Sequence, residues 1–202
     1  MKNNESSSSK KPQVFLSFRG EDTRTSFTNH LYDALQPKGY EIFMDSKSLR
    51  RGKDIAPELF AAIEASQFAI VVFSKTYAFS KWCLKELVKI LDCRRNQGLA
   101  VYPVFYHVDP ADLRKLRGEF VGEAFIKHKT NLNPMEMKTV ESWQKAVTQL
   151  ADISGCHVLE YTSVPTVAEL VHAIAVHVQS YRPNSDHNSH TLNEVRECDK
   201  RN

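Results

Sequence analysis

The sequence predicts an α/β fold: a five-stranded parallel sheet in the order 2-1-3-4-5, with helices on both faces. Three observations carry this. Short apolar runs recur five times, and segments with apolar residues at helical spacing separate them. Strands that alternate with helices build a parallel sheet covered on both sides. Finally, 202 residues with 42% hydrophobic and 25% charged content suit one globular domain with tails, and 2-1-3-4-5 is a common open order at that size. No segment repeats another.

The elements follow in chain order. Residues 1–12 are rich in Ser, Lys and Asn and read as a disordered leader. VFLSF (Val14 to Phe18) is the first strand. Thr25 to Leu35 carries Phe27, Leu31 and Leu35 on one helical face, with Asp22 or Thr23 as cap and Lys38-Gly39 as stop. EIFMD (Glu41 to Asp45) is the second strand, followed by the polar loop SKSLRRGKD. Pro57 sits in the first turn of a helix bearing Leu59, Phe60 and Ile63. FAIVVF (Phe68 to Phe73), with β-branched residues at its centre, is the third strand.

Ser80 is a good N-cap for a helix whose Leu84, Leu87, Val88 and Leu91 form a stripe, and Gly98 stops it. LAVYPVFYHV is the fourth strand, and its Pro103 calls for a bulge or an unpaired position. Asp109 to Asp152 is less regular, with a helix around Val140 to Leu150. CHVLEY (Cys156 to Tyr161) is a short fifth strand. Val167 to Val178 closes the fold with Leu170, Val171, Ile174 and Val178. The domain thus spans residues 13–182, and 183–202 read as a polar, disordered tail.

Composition excludes several functions. A net charge of +3, from 27 basic and 24 acidic residues, is too mild to imply nucleic acid. The basic run Lys47, Arg50, Arg51 and Lys53 has few interleaved aromatics and makes a poor nucleic-acid footprint. Cys83, Cys93, Cys156 and Cys198 include no C-x-x-C pair. His172 and His177 are five apart and splay around a helix, so no metal site is expected. The start lacks an apolar signal region and a myristoylated glycine. No apolar run is long enough to span a bilayer. A reduced, soluble, intracellular protein with free thiols is the expectation.

Two stretches are the most informative: VFLSFRGEDTR (Val14 to Arg24) and SKWCLKEL (Ser80 to Leu87). Trp82 and Glu86 are four apart and share a helix face. An acid beside a large aromatic is partly desolvated and so tuned for chemistry. The bland alternative makes Trp82 a core anchor and pairs Glu86 with Lys89. In the order 2-1-3-4-5 the loops after strands one and three diverge, and ligands bind in that crevice. Both stretches meet there, which favours the functional reading. Glu86 falls off the apolar stripe and is expected to point outward, so that its removal costs little stability.

The standard catalytic and nucleotide motifs are absent: no P-loop, no G-x-G-x-x-G and no G-x-S-x-G. A phosphoacceptor domain needs acids where strand one ends in Ser17-Phe18-Arg19. The motifs VFLSFRGEDTR, FTNHLY, SLRRGKDIAPEL, AIEASQFAIVVFSKTYAFSKWCLKELVKI and VYPVFYHVDPADLR together resemble a plant Toll/interleukin-1 receptor (TIR) domain, over roughly Gln13 to Arg182.

That resemblance implies a flavodoxin-like fold and an NAD+ glycohydrolase of plant innate immunity, acting in the cytoplasm or nucleus. Its products would be nicotinamide and ADP-ribose-type signalling nucleotides that promote defence and cell death. NAD+ or NADP+ would be a substrate, with no resident cofactor. The glutamate of W-C-L-x-E-L, here Glu86, would be the catalytic acid, with Trp82 and Cys83 as its neighbours. The loop SLRRGKD would close the site between subunits, and FTNHLY would belong to a face for TIR–TIR self-association or contact with other TIR proteins. Two departures stand out: Asp45-Ser46 where the family has two acids, and Asn29-His30 where it has Ser-His. The first bears on loop contacts, the second on one dimer interface. The protein would be TIR-only or the front of a longer receptor.

The chemistry suits one acid. Nicotinamide leaves a cationic pyridinium as a neutral base, so it needs no protonation, unlike the leaving oxygen of an ordinary glycoside. One carboxylate against the ribose could stabilise the oxocarbenium-like transition state. Trp82 could form an aromatic wall, and Arg19 with the Gly20 backbone could hold phosphate or ribose. Asp45 completes the substrate-binding set. The alternative is a non-catalytic module that recruits other TIR domains.

Overall fold

The computed structural model describes residues 13–44, 56–130, 132–158 and 167–180. The leader, the tail with Cys198, Asp45, the loop at 46–54 and the predicted end of the fifth strand at 159–161 lie outside the described residues. Five parallel strands form one sheet in the order β2-β1-β3-β4-β5. They are β1 (Gln13–Phe18), β2 (Glu41–Met44), β3 (Phe68–Ser74), β4 (Ala100–Tyr106) and β5 (Cys156–Val158). Among the described residues eight α-helical segments accompany them: α1 (Gly20–Thr23), α2 (Asn29–Leu35), α3 (Ala56–Ala65), α4 (Lys81–Gln97), α5 (Pro110–Lys115), α6 (Val121–His128), α7 (Pro134–Ala151) and α8 (Val167–Ser180). The strand order and every predicted strand start agree with the sequence reading to within a residue.

Side chains alternate across a strand, and this sorts the core into two layers. Phe15, Ala69, Val71, Phe73 and Phe105 face one way, with Leu59 and Ile63 of α3, Leu84 and Leu87 of α4, and Trp143 and Val147 of α7. Val14, Leu16, Ile70, Val72 and Val104 face the other way, with Leu31 and Leu35 of α2 and Ile174 and Val178 of α8. The side chains at 170 and 171 lie outside the described set. Ser17 has the parity of Phe15, so it points toward the α3/α4 layer. That parity positions the site described below.

Several elements differ from expectation for identifiable reasons. The first helical segment begins at Gly20 rather than Thr25, because the Arg19 carbonyl accepts the amides of Asp22 (3.0 Å) and Thr23 (3.3 Å). A π-helical turn, Arg24–Thr28, then joins α1 to α2. Neither Asp22 nor Thr23 caps α2: Thr23 meets the Thr28 hydroxyl at 2.9 Å, and Asp22 crosses to the end of β3 and the turn after it. The stretch after β4 contains two unforeseen helices, α5 and α6, and α7 starts six residues before Val140. Asn133 caps α7 reciprocally with Glu136, and Pro134 occupies its first turn.

Pro103 lies inside β4, without a bulge, opposite Val71 of β3. Its other flank carries no strand pairing, because β5 first pairs at Cys156, opposite Val104. Gly155 sits against that flank: a Cβ there would lie 2.3 Å from the Pro103 carbonyl oxygen and 2.6 Å from its ring. Gly155→Ala should therefore cost about 1–3 kcal/mol through forced backbone movement. A thermal melt reads this as a drop of several degrees, and an unchanged midpoint would show that the neighbouring backbone yields freely.

Candidate active site

The site grows from the carboxyl ends of β1 and β3. Ser17, the penultimate residue of β1, is fully buried. Its hydroxyl donates to Glu86 Oε2 at 2.8 Å. The Ser17 hydroxyl oxygen also lies 2.8 Å from the Tyr77 hydroxyl, which in turn donates to the Cys83 carbonyl at 3.1 Å. Glu86 is carried by α4, whose start is fixed by the Ser80 hydroxyl accepting the Cys83 amide at 3.2 Å. Gly98, at φ 73°, ends that helix as expected.

Glu86 is 1% exposed, which corrects the expectation of an outward-pointing acid. The stripe of Leu84, Leu87 and Leu91 is buried as predicted. A helical wheel assigns one covered face, however, and the first turns of α4 are covered on two sides. The sheet lies on one, and the end of β1 with the short helical turn Tyr77–Phe79 on the other. The proposed Glu86–Lys89 pair is also replaced: Lys89 bonds Glu64 of α3. Burial raises the Tyr77 phenol well above its ordinary range, nearby Cys83 and Glu86 add to this, and the Ser17 hydrogen bond opposes it.

The other predicted residues surround this centre unevenly. Trp82 is half-buried against the α3/α4 layer. Cys83 is buried, with its thiol donating to the Phe18 carbonyl at 3.8 Å. Arg19 donates to the Thr76 carbonyl at 2.7 Å and pairs with Glu21 at 2.7 Å. Gly20 opens α1, where a Cβ would meet only the movable end of the Arg24 side chain, at 3.0 Å. Asn29 and His30 are exposed on α2, away from Glu86, and the His30 ring bonds the Ser26 carbonyl one turn back. Asp45 lies outside the described residues.

Sequence reasoning missed four participants. Asp22 clasps the two lips of the crevice: its carboxylate accepts from the Ser74 hydroxyl, the Thr76 amide (3.1 Å) and the Thr76 hydroxyl (2.6 Å). Ser17 and Tyr77 read as an ordinary strand residue and a loop aromatic. Arg24 lays its guanidinium over the Phe18 ring at 5.1 Å, and a guanidinium at the crevice suits an anionic ligand. Its position four residues after Gly20 was the available signal.

A separate cleft of about 400 Å³ opens at the opposite, amino edge of β3 and β4, between Phe68, Arg94, Gly98 and His177. Burial lowers the His177 imidazole below its ordinary value. None of the predicted site residues lines that cleft. Among the described residues no cluster of His, Cys, Asp and Glu is arranged to hold a metal, and no helix is long and apolar enough to cross a membrane.

Comparison with known proteins fits this geometry. The chain is 52% identical over 147 residues to the disease resistance protein RPV1 of Vitis rotundifolia, which covers 73% of this chain and 10% of that protein. It is 43% identical over 176 residues to the TMV resistance protein N of Nicotiana glutinosa, covering 87% of this chain and 15% of that one. The chain therefore spans only a small part of the length of these relatives. The TIR domains in the structure of the activated Roq1 resistosome directly recognizing the pathogen effector XopQ superpose with a TM-score of 0.73 at 47% identity, over 83% of this chain and 99% of that one. The family model for the TIR domain matches residues 11–200, and with the strand order and the crevice motifs in agreement, the chain belongs to the TIR domain family.

Proposed function

We propose that this domain is an NAD+ glycohydrolase of plant immunity, active on self-association, with Glu86 as the catalytic carboxylate. The observation that most supports this reading is the Glu86 carboxylate, which accepts the Ser17 hydroxyl where β1 and β3 end. Ligands of this sheet topology bind at that crevice. In the reaction the bond between C1′ of the ribose and the nicotinamide nitrogen breaks. Its electron pair neutralises the pyridinium, and water adds to C1′ and loses a proton to solvent. Glu86 would stabilise the positive charge that develops on the ribose. Trp82 would wall the site, with Arg19 and Arg24 toward the phosphates. NAD+, or NADP+ in its place, is substrate rather than resident cofactor. The products would act as signalling nucleotides in the cytoplasm or nucleus.

The burial of Glu86 favours one other reading, a non-catalytic module that only recruits other TIR domains. It also bears on the first reading: a covered acid reacts only in a state where its side away from Ser17 and Tyr77 is open to substrate. Apparent activity is then reduced by the fraction of molecules in that state, and assembly would raise the fraction. The Roq1 neighbour, described within a resistosome, supports assembly as the trigger.

Nicotinamide release per subunit, measured on the full chain over a wide dilution series, tests both parts. Specific activity should rise with concentration. His30→Ala, on an exposed face remote from Glu86, should lower activity at fixed concentration, and forced clustering should restore it. No release at any concentration supports the recruiting module. A flat series with a wild-type His30→Ala variant removes the assembly mechanism.

A further inference from the structure

Resting on the glycohydrolase reading, we propose that Tyr77 and Ser17 form a directional hydrogen-bond relay that positions the Glu86 carboxylate for catalysis. Proton bookkeeping sets the direction. The Cys83 carbonyl and an ionised carboxylate only accept. Ser17 has one hydroxyl hydrogen, and its 2.8 Å contact with Glu86 Oε2 takes it. Toward Tyr77, at 2.8 Å, Ser17 must therefore accept. The Tyr77 hydrogen is shared between Ser17 and the more distant Cys83 carbonyl at 3.1 Å. The relay thus runs from Tyr77 through Ser17 to Glu86, and each donor polarises the next.

Tyr77 is built to stay a donor. It is fully buried, and that burial holds its phenol well above its ordinary range, so it keeps its proton across the working pH. Its ring packs 4.6 Å from Phe73 of β3. The turn that carries it is tied to α6, where the buried His128 Nε2–H donates to the Ala78 carbonyl at 2.8 Å. Ser17 is fixed by its strand. Both groups are therefore set by the scaffold before any substrate arrives, as a positioning role demands.

A purely structural role, in which the hydroxyls only solvate a buried acid, makes different predictions. Kinetics of nicotinamide release should be measured on the full chain at a concentration where the wild type turns over, with a thermal melt for each variant. Tyr77→Phe removes one hydroxyl and should lower kcat about 5–10-fold, with KM within about twofold. Ser17→Ala should lower kcat about 10–100-fold. Adding Tyr77→Phe to Ser17→Ala should cost less than about twofold more, because Tyr77 acts through Ser17. Ser17→Thr keeps the donor and should stay within about threefold of wild type.

The inference is overturned if Tyr77→Phe and Ser17→Ala keep wild-type kcat while Glu86→Gln is inactive, or if the two losses are independent. It is also overturned if the losses fall in KM. Should Ser17→Ala not fold, Tyr77→Phe and Ser17→Thr carry the same test. A wild type that releases no nicotinamide, or an active Glu86→Gln, instead defeats the glycohydrolase reading on which the relay rests.

Discussion

Glutamine in place of Glu86 should give a folded domain that releases nicotinamide at least about 10²-fold more slowly than the wild type. Glutamine keeps the volume of the side chain and one oxygen able to accept the Ser17 hydroxyl now bound at 2.8 Å. What it loses is the negative charge, the feature an oxocarbenium-like transition state uses. With shape and hydrogen bond kept, the melting midpoint should stay within about 5 °C. Glu86→Ala is the poorer test. It empties a site that is 1% exposed and takes the acceptor from a buried hydroxyl, at a cost of about 2–3 kcal/mol. Wild-type turnover in the glutamine variant would sink the catalytic assignment whatever its stability.

The second large effect concerns Asp22. Asp22→Ala should lower the melting midpoint by about 5–15 °C, corresponding to about 2–4 kcal/mol. The carboxylate accepts from the Ser74 hydroxyl and from the amide and hydroxyl of Thr76. Ser74 is buried, but Asp22 and Thr76 are only partly so, so water recovers some of the loss and the sum stays below three full charged hydrogen bonds. Arg19, whose guanidinium bonds the Thr76 carbonyl at 2.7 Å, should loosen with them and raise KM for NAD+. A midpoint within about 1 °C of wild type would show that the clasp is exchanged for water without penalty.

The skeleton of the fold was legible because its signals are local. The five apolar runs, the Ser80 cap and the Gly98 stop of α4, and the buried Phe27, Leu31 and Leu35 all follow from residues within one element. So was the meeting of VFLSFRGEDTR with SKWCLKEL, since strand order implies it. The inside of the site was not. Helical periodicity treated Glu86 as outward because nothing near it in the chain reveals that Ser17 and the Tyr77 turn cover its second side. Asp22 looked like a cap for the same reason: its partners are on β3 and beyond. One miss was avoidable. Asn133-Pro134-Met135-Glu136 spells a helix start, and α7 begins there.

The hydrogen bonds across the crevice have a consequence for how the protein is made. They join residues 52 to 69 positions apart, from Asp22–Ser74 to Ser17–Glu86. At about 5–20 residues per second of synthesis, the lip after β1 waits several seconds before its partners exist. Closing such a loop costs entropy that grows only slowly with length, and the closure that brings β3 beside β1 serves all of these contacts together. The site should therefore appear in one cooperative step, after α4 has emerged. A nascent chain stopped just before Ser80 would hold the whole β1 lip yet have no Glu86 to enclose. The integrity of the pocket is thus a direct readout of whether the central strands have paired.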